Sequence, residues 1–467
     1  MPTSKIPING QAYKNVDAVS LTNHSEALIN GFVDESESTH KRPGLLEWVD
    51  LGTDKPIDGL FFWDKKELVI AVSNGVIFKI TSGAVVTEIT GATLNVSGRV
   101  SFAVHGDILA MANGGKIVTT DDTTTTEMAD ADAPTRVTHL GFIDQYLLAN
   151  DALTDTFYFS DVGDPLSWDP LEFATAELRS DNINALFTTA WGEIYLWGRK
   201  SLEPWINDGV SPFVPFPGAQ TTRGTIAPYS VVLAGQTFYY LDPSKQIVRL
   251  EGRQAVPISN PFRKVFQELT VIDDAMADYM EIEGRAFYVI SFPTEKLTFA
   301  YDADLGSWAQ WGYWDSSVPE NTQWLANSYC HANLWGFHLA GDRRDNGKIH
   351  KLSRAYQDDS GDLVRYFRRT GHIDHGTLNK KRSNFINIKL KRGTAAAGNL
   401  AFRWRDDGKN LWSNEHLIGL GNIGETEFIK RINARGIYRT RQYEFTLTDA
   451  IQLVLVGAEE NIDVLTR

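Results

Sequence analysis

The hydrophobic positions of this chain recur in short groups of three, separated by glycine-centred turns. Residues 183–208 show the pattern most clearly, because Trp191-Gly192 and residues 198–200 separate three segments rich in aromatic and aliphatic side chains. Segments of this length and composition are typical of β-strands. A single three-stranded sheet cannot bury both of its faces, so it must pack against sheets like itself. The three predicted strands are residues 185–188, 194–198 and 203–206.

The same unit recurs along the chain from Ile57 onward. The starts of successive units are roughly 40–50 residues apart, the period expected of β-propeller blades. Blades of about four strands bury each sheet between two neighbours, and residues 85–89 and 254–258 are candidates for fourth strands. We therefore predict an all-β fold with a β-propeller of about seven blades; six or eight blades, or a pair of β-sandwiches, are the alternatives. The other units begin at Gly59, Arg99, Val137, Tyr229, Tyr279 and Trp324.

The regions outside the repeat divide the chain into three predicted domains. Residues 1–45 are polar and irregular and form an N-terminal arm, either flexible or ordered as a strap along a partner subunit. Residues 46–360 form the propeller, with one short helix over residues 262–269 that packs between blades. Residues 361–467 contain about six longer, basic strands in which apolar and basic positions alternate. Because that alternation indicates one solvated face, we predict a C-terminal β-sandwich-like docking domain.

Composition narrows the class of protein. The 467 residues include 13 Trp, 24 Phe and 16 Tyr but a single cysteine, Cys330. No intramolecular disulfide can therefore form, and assembly in a reducing cytosol is expected. The N-terminal residues lack the apolar core of a signal peptide, and no 18-residue apolar run occurs. We expect a protein that is neither secreted by a signal peptide nor membrane-spanning.

Charge is distributed unevenly along the chain. The net charge of −14 argues against a simple nucleic-acid binder. Residues 361–467 hold 18 Lys and Arg against 12 Asp and Glu, a net of +6. The remaining 27 basic and 47 acidic residues give residues 1–360 a net of −20. This charge asymmetry indicates that the two regions of the chain have different roles.

Sequence signatures of enzymes are absent: there is no phosphate-binding GxxxxGK[ST] loop, no GxSxG elbow and no HExxH motif. Cys330 lies in a strand-like stretch and is expected to be buried and structural. His372 and His375 have metal-ligand character but lack further ligands at sensible spacing, so a solvated turn is expected. Residues 119–127 are acidic but lack the spacing of a known calcium loop, so a disordered polar tip is expected. We predict no catalytic residue, no metal site and no cofactor, in a protein that is not an enzyme.

Residues 405–412 resemble a degraded Asp-box, the S-x-D-x-G-x-T-W hairpin turn of sialidases and related propellers. Asp407 and Trp412 are kept, whereas Arg405, Lys409 and Leu411 replace Ser, Gly and Thr. An Asp-box stabilises a turn and is not a catalytic site. It leaves one alternative function open, a carbohydrate-binding or sialidase-like β-propeller. Such a site needs a Tyr nucleophile with a Glu partner and an arginine cluster, and arginines are sparse in the predicted blades.

Several short motifs occur in a characteristic order along the chain. They include DPLSW at 164–168, FATAE at 173–177, EPWIN at 203–207 and YEFTLTD at 443–449. With these motifs the chain resembles the packaged-DNA stabilisation proteins of short-tailed bacteriophages, also described as tail accessory, tail hub or nozzle proteins. The chain departs from the family in the altered 405–412 turn and in Ala450, where a proline is usual. The key residues of the resemblance are Pro43, Gly44, Trp168, Glu177, Trp197, Gly198, Trp205, Asp407, Gly408 and Trp412.

The resemblance implies a structural protein of the virion tail, assembled in the host cytoplasm. It implies a ring, expected to be a hexamer, below the portal and adaptor (head-tail connector) proteins. The ring would extend the DNA channel, retain the packaged genome and anchor tail fibre or spike proteins. An acidic lining would let DNA slide without sequence-specific binding, although the acidity would also serve solubility alone. The basic C-terminal region would meet an acidic surface of a neighbour.

Overall fold

The structure is a computed structural model. It describes residues 3–8, 26–176, 179, 181–210, 212–392, 398–420, 425, 427–433 and 436–465, with nothing of the Arg392 side chain. The regular secondary structure of the described residues is almost entirely β-strand, which agrees with the predicted all-β class. The first five strands are β1 (Thr3–Ile6), β2 (Ala27–Ile29), β3 (Gly31–Val33), β4 (Thr39–Lys41) and β5 (Gly44–Asp50).

Five sheets follow, each built from four consecutive strands that are antiparallel to one another. This is the meander that the hydrophobic pattern predicts. The first sheet is β6 (Ile57–Trp63), β7 (Leu68–Ser73), β8 (Val76–Ile80) and β9 (Val86–Glu88). The second is β10 (Ser101–His105), β11 (Ile108–Ala112), β12 (Val118–Thr120) and β13 (Thr125–Glu127). The third is β14 (Leu140–Ile143), β15 (Tyr146–Asn150), β16 (Thr156–Phe159) and β17 (Phe173–Thr175).

The fourth sheet contains the stretch in which the pattern is clearest. It consists of β18 (Ala185–Thr188), β19 (Glu193–Trp197), β20 (Leu202–Ile206) and β21 (Val214–Pro215). The fifth is β22 (Val232–Ala234), β23 (Thr237–Leu241), β24 (Ile247–Glu251) and β25 (Gln254–Pro257). The short helix α1 (Arg263–Glu268) follows and buries Phe266 completely. Val265 of the same helix is 36% exposed.

A sixth four-stranded sheet closes the propeller. Its first three strands are β31 (Ala326–Ala332), β32 (Phe337–Asp342) and β33 (Lys348–Ser353), and its outer strand is β5 from near the N-terminus. We call this the closing sheet. Just before it, β26 (Met276–Ile282), β27 (Arg285–Phe292), β28 (Leu297–Asp302) and β29 (Ser307–Asp315) form another antiparallel meander, and β30 (Glu320–Gln323) pairs with β29.

The remaining strands build two large sheets. One has ten strands: it starts with the β26–β29 meander and continues through β2, β34, β40, β36 and β37. The other has seven strands, with β3, β4, β41, β35 and β38 in order and with β1 and β39 at its sides. The C-terminal strands are β34 (Tyr366–Arg369), β35 (Lys381–Arg392), β36 (Asn399–Asp406), β37 (His416–Gly419), β38 (Glu427–Ile432), β39 (Ile437–Tyr438), β40 (Arg441–Leu447) and β41 (Leu453–Val464).

In its described part the N-terminal segment is ordered in strands and not a flexible arm, and its contact with a partner subunit stays a prediction. Strands β1 to β4 pair within the two C-terminal sheets of the same chain. Strand β2 joins the propeller to the C-terminal strands, because Ile29 pairs in parallel with Gln310 of β29 and antiparallel with Phe367 of β34. These partners are too far away in sequence for a local pattern to reveal them.

Hydrophobic clusters lie between successive sheets and hold them in a closed circuit. The first and second sheets share Trp63, Ile70 and Met111, and the closing sheet and first sheet share Ile57 and Leu339. Similar clusters join the second to the third, the third to the fourth and the fourth to the fifth sheet. The fifth sheet and the β26–β29 meander contribute to the largest cluster, which extends into both C-terminal sheets. Each sheet is thus buried on both faces, as blades require.

Candidate functional site

The two ends of the propeller meet at a seam between residues 42–45 and 356–360. The amide N–H of Gly44 donates to the carbonyl oxygen of Tyr356 at 3.1 Å, and the amide of Leu45 donates to that of Asp358 at 2.9 Å. A Cβ atom at position 44 would lie only 2.4 Å from the Asp358 carbonyl oxygen. Glycine is required here for close backbone approach. The seam accounts for Pro43-Gly44, which the sequence singled out.

A buried ion pair locks the seam. The Nη2 atom of Arg42 lies 2.6 Å from Oδ2 of Asp359, and both side chains are fully buried. Arg42 also donates to the Asn30 side-chain oxygen at 2.9 Å and to the Pro43 carbonyl oxygen at 2.8 Å. Its guanidinium lies 5.5 Å from the ring centroid of Trp324. A buried charge is tolerated when it is paired and its donors are hydrogen-bonded. The Arg42 guanidinium satisfies both conditions.

A central cavity of about 640 Å³ lies where the inner strands converge. Strands β6, β10, β14, β18, β22, β26 and β31 all contribute to its wall. His139 lies in the wall, stacked on Tyr229 with ring centroids 5.2 Å apart, and burial lowers its pKa to about 4. Residues from the seven inner strands include Phe61, Phe102, Phe142, Phe187, Leu233, Asp278 and Tyr329.

An ion pair crosses this cavity from the second sheet to the β26–β29 meander. Arg99 Nη1 donates to Asp278 Oδ2 at 3.2 Å, and Nη2 donates to Oδ1. Burial raises the pKa of Asp278, while the positive charge of Arg99 opposes that shift. The volume suits a small molecule, and the ion pair bridges the space. The propeller axis is therefore not a passage for duplex DNA.

Three tryptophans of the resemblance lie in the cores between sheets. Trp168 belongs to the cluster of the second and third sheets, Trp205 to that of the third and fourth, and Trp197 to that of the fourth and fifth. A Cβ atom at Gly198 would lie 2.5 Å from Asp181 Oδ2. That carboxylate accepts a hydrogen bond from the backbone of Lys200. These positions therefore stabilise the propeller. Glu177, another residue of the resemblance, lies outside the described residues.

The Asp-box-like turn connects β36 to a distant loop instead of bracing its own hairpin. Asp407 Oδ1 accepts the backbone N–H groups of Arg439 at 2.6 Å and of Thr440 at 3.0 Å. The backbone of Asp407 and Gly408 is left-handed, with φ of 54° and 66°. Such a conformation favours glycine and tolerates aspartate. The turn therefore fixes the direction in which the following residues, including Trp412, return over the sheet.

Three arginines surround Trp412 on the outer side of the ten-stranded sheet, and a fourth, Arg365, lies near them. The guanidinium carbons of Arg369, Arg403 and Arg405 lie 5.3, 5.0 and 4.9 Å from the centroid of the Trp412 ring. Arg365 is close by and stacks on Phe367 at 5.3 Å. We call Arg365, Arg369, Arg403, Arg405 and Trp412 the arginine face. Distances of this size are typical of cation–π contacts.

One glutamate lies within the arginine face. Glu444 is 2% exposed and accepts from Arg369 Nη2 at 2.7 Å and from Arg403 Nε at 2.5 Å. Burial lowers the pKa of Arg405, and the positive charge of Arg369 lowers it further. The face thus carries four positive charges against the buried Glu444, and the charge of Glu415 also acts on Arg365. The sequence signal for this face is the alternation Phe402-Arg403-Trp404-Arg405. Because alternate residues of a strand share a face, it places Arg403 and Arg405 on the same side of β36.

A second buried charge, Glu460 of β41, links the seven-stranded sheet to β40 of the ten-stranded sheet. Its oxygens accept from Arg441 Nη1 at 2.8 Å and from the hydroxyls of Ser383, Tyr438 and Tyr443. Burial raises the pKa of Glu460, but the hydrogen bond with His375, the charge of Arg441 and the hydroxyl hydrogen bonds outweigh it and hold the pKa at about 2. Such a network stabilises an ionised carboxylate inside a sheet.

His375 takes part in this network, so the predicted solvated position is wrong for His375, whereas His372 is half-buried. The His375 side chain is 1% exposed, with Nε2 3.2 Å from Glu460 Oε2 and Nδ1 2.7 Å from Ser4 Oγ. The sequence missed this because Ser4 comes from the opposite end of the chain. The Tyr443–Glu460 pair has the residue types of a sialidase nucleophile and its partner, but both side chains are fully buried.

The other candidate positions are structural. Cys330 is buried between the closing and first sheets, as the sequence predicted, and burial raises the pKa of its thiol. Residues 119–127 are not a disordered tip: they include parts of β12 and β13, and Asp122 pairs with Lys66 at 2.9 Å. In the described part of the chain, no group of three or more His, Cys, Asp or Glu side chains is placed to hold a metal ion. No helix within those residues is long and apolar enough to cross a membrane.

Comparison with solved structures finds matches at low similarity. Two structures of the extracellular domain of BT4673 from B. thetaiotaomicron, described as a hybrid two component system and as a one component system, show 13% and 9% identity and TM-scores of 0.46 and 0.45. They match 79% and 86% of this chain, which covers 44% and 62% of their lengths. A streptogramin B lyase structure shows 10% identity and a TM-score of 0.44, over 67% of this chain and 98% of that one.

Sequence comparison is more informative about the family. No curated protein matches the chain at a significant level. One family model does match, over residues 43–356, and is described as the Phage_stabilise family, "Bacteriophage P22 Gp10, beta-propeller". The match begins at Pro43 and ends at Tyr356, the two sides of the seam that closes the propeller. The chain therefore belongs to the phage stabilisation family of β-propeller proteins typified by bacteriophage P22 Gp10.

Proposed function

We propose that this protein is a ring-forming structural subunit of a short phage tail. In this role several copies, six by the resemblance, form a ring below the portal and adaptor proteins. The ring extends the DNA channel, helps to retain the packaged genome and carries tail fibres or spikes. The observation that carries the proposal is the family match over residues 43–356, which spans the whole closed propeller.

The proposal includes a finer description of the fold. The β26–β29 meander serves as a seventh blade, because β26 lines the central cavity beside the inner strands of its neighbours. The two C-terminal sheets form a β-sandwich-like docking domain. This is supported by their shared core, in which Ile388 and Leu455 of one sheet belong to the same cluster as Phe402 and Phe445 of the other. Strands β1 to β4 complete that domain from the N-terminal side.

The closed axis of the propeller supports a channel formed between subunits. The Arg99–Asp278 ion pair bridges the central cavity, whose volume suits a small molecule. DNA therefore passes between copies of the protein and not through any one of them. A ring around a common axis provides such a channel, since head-to-tail contacts close into rings when the rotation allows it.

The acidity of residues 1–360 suits a channel through which DNA slides. Carboxylates along the lumen repel phosphates, whereas a basic lining would bind them in a salt-dependent way. Neutralising propeller acids in infectious particles should slow ejection or alter genome retention. Unchanged retention and ejection would leave solubility as the only use of the acidity.

The decisive experiment is electron microscopy of the purified protein alone and with portal–adaptor complexes. We expect a ring docked coaxially on the adaptor, and particles lacking the protein should lose packaged DNA. A strict monomer that never joins the portal–adaptor complex would overturn the proposal. Binding and hydrolysis assays on sialylated and neutral glycans address the carbohydrate alternative, and we expect neither activity.

A further inference from the structure

The arginine face carries charge that its own subunit does not neutralise. Arg369 and Arg403 share Glu444, but in the described part of the chain no carboxylate lies within ion-pair distance of Arg365 or Arg405. The side chains beside the face are apolar and open: Leu411 is 83% exposed and Leu417 is 66% exposed. Arginine and tryptophan beside exposed apolar side chains are the composition of a protein–protein contact.

The third sheet carries the opposite charge. Residues 128–176 contain nine Asp and Glu but only one basic residue, Arg136, which pairs with Asp151. The segment between β16 and β17, residues 160–172, presents exposed Asp161, Asp164 and Asp169. We call residues 160–172 the acidic loop. Burial raises the pKa of Glu172 in this loop, and the charges of Asp169 and Asp161 raise it further.

The acidic loop also has exposed apolar side chains. Leu171 is 82% exposed, Val162 is 59% exposed and Leu166 is 47% exposed, and Phe173 at the start of β17 is 46% exposed. A group of exposed apolar side chains rimmed by polar residues marks a surface for protein–protein contact. The loop is therefore opposite in charge to the arginine face, and both surfaces have exposed apolar side chains.

The two surfaces lie on opposite sides of the subunit. Around the circuit of sheets, the β26–β29 meander is three places from the third sheet in one direction and four places in the other. The arginine face extends outward from that meander through β2, β34, β40 and β36. The acidic loop leads to β17, the outermost strand of the third sheet. Within one copy the two surfaces are too far apart to meet.

We propose that the arginine face of one subunit docks on the acidic loop of the next copy, and that this head-to-tail contact builds the ring. The inference rests on the proposed ring function and names the contact that forms it. Two different, complementary patches on opposite sides of a subunit give a heterologous interface, which is the kind that closes into rings. Complementary charge fixes the register and speeds the encounter, while the apolar side chains supply burial.

A second copy fits the arginine face better than DNA does. Glu444 at the centre of the face repels phosphate, and the exposed Leu411 and Leu417 have no counterpart along a DNA backbone. Contacts to phosphate use basic and polar side chains, whereas the acidic loop offers carboxylates together with Leu166 and Leu171. DNA binding at this face is therefore the competing outcome of the test.

The test uses charge reversal in the full-length protein, with assembly followed by mass photometry and electron microscopy, alone and on portal–adaptor complexes. Arg405→Glu and Asp169→Lys should each raise the protein concentration needed for half-assembly by at least about tenfold. An equimolar mixture of the two variants should assemble again, because the introduced carboxylate of one variant can then face the introduced ammonium group of the other. A chain carrying both reversals should also assemble. Lys380→Glu and Glu88→Lys are matched controls on exposed positions elsewhere and should assemble normally.

The outcomes separate this inference from the proposed function. Rings that form normally from Arg405→Glu alone and from Asp169→Lys alone would overturn the contact and leave the ring function standing. Rings that form normally while Arg405→Glu loses binding to duplex DNA would overturn it in favour of nucleic acid. A wild-type protein that forms no ring in either condition would overturn the function as well. Circular dichroism and the thermal midpoint of each variant check folding, and recovery in the mixture requires folded subunits.

Discussion

Nη2 of Arg42 lies 2.6 Å from Oδ2 of Asp359, and no part of either side chain reaches solvent. The two residues are separated by most of the propeller sequence, so their contact forms only when the circuit of sheets is closed. Strand β5 starts two residues after Arg42 and completes the closing sheet beside β33. The ion pair is therefore a direct reporter of propeller closure.

Replacement of Arg42 should weaken the closed propeller strongly. In Arg42→Ala, Asp359 keeps a buried charge without its partner, a change that costs about 3–5 kcal/mol. The thermal midpoint and the urea midpoint should both fall. Arg136→Ala is the matched control, because Arg136 is 51% exposed in its pair with Asp151 and exposed pairs contribute about 0–1 kcal/mol. Equal losses in the two variants would contradict a special role for the buried pair.

A methyl group at position 44 should open the seam locally. In Gly44→Ala the new Cβ would lie 2.4 Å from the Asp358 carbonyl oxygen and 2.7 Å from that of Tyr356, so the backbone has to move. Hydrogen exchange should increase in β5 and β33, whose register depends on this approach. Gly457→Ala serves as the control, since a Cβ there has nothing within 4 Å. Unchanged protection of β5 in Gly44→Ala would show that the seam can relax without cost.

Acid should destabilise the seven-stranded sheet through Glu460. The pKa of this carboxyl is about 2 in the folded protein against an ordinary 4.5. The unfolded chain therefore binds the proton first, and the stabilisation is present above pH 4.5 and lost as the pH falls toward 2. Hydrogen exchange of β35 and β41 should rise over that interval in the wild type. Glu460→Gln should already be less stable at pH 7 and should lose this part of the acid dependence, whereas Glu459→Gln should keep it.

His139 should contribute a second acid dependence, at less acidic pH. Its pKa is about 4 in the folded protein, chiefly because of burial, against an ordinary 6.5. The unfolded chain takes up a proton that the folded chain refuses, so stability is lost as the pH falls from 6.5 to 4. His139→Phe keeps an aromatic ring against Tyr229 and should flatten the stability profile between these pH values. An identical slope in the variant and the wild type would assign the dependence to other groups.

Truncation of a buried tryptophan should show that the tryptophans between the sheets stabilise the propeller. Trp197 is fully buried and packs against Phe238 with ring centroids 4.8 Å apart. Trp197→Ala should cost about 3–5 kcal/mol and lower the midpoint of urea unfolding. Trp191→Ala is the matched control, since Trp191 is 41% exposed. Similar costs for both would contradict the assignment of Trp197 to the core.

The sequence by itself determined most strands and the class of fold. The predicted strands 185–188 and 237–241 agree with the bounds of β18 and β23. These strands can be predicted because the alternation of buried side chains and the glycine-centred turns are local signals that span only a few residues. The same local signals predicted fourth strands near residues 86–88 and 254–257.

Only the tertiary structure decided how the ends of the chain are used. Gly44 pairs with Ser353 and Thr3 pairs with Asn461, and no local pattern near Gly44 or Thr3 identifies partners so distant in sequence. The Glu460 network and the arginine face could not be predicted from the sequence for the same reason. Their members come from separate strands that only the sheet register brings together. Local periodicity shows that a residue lies in a strand, whereas its neighbours across the sheet depend on pairing over the whole chain.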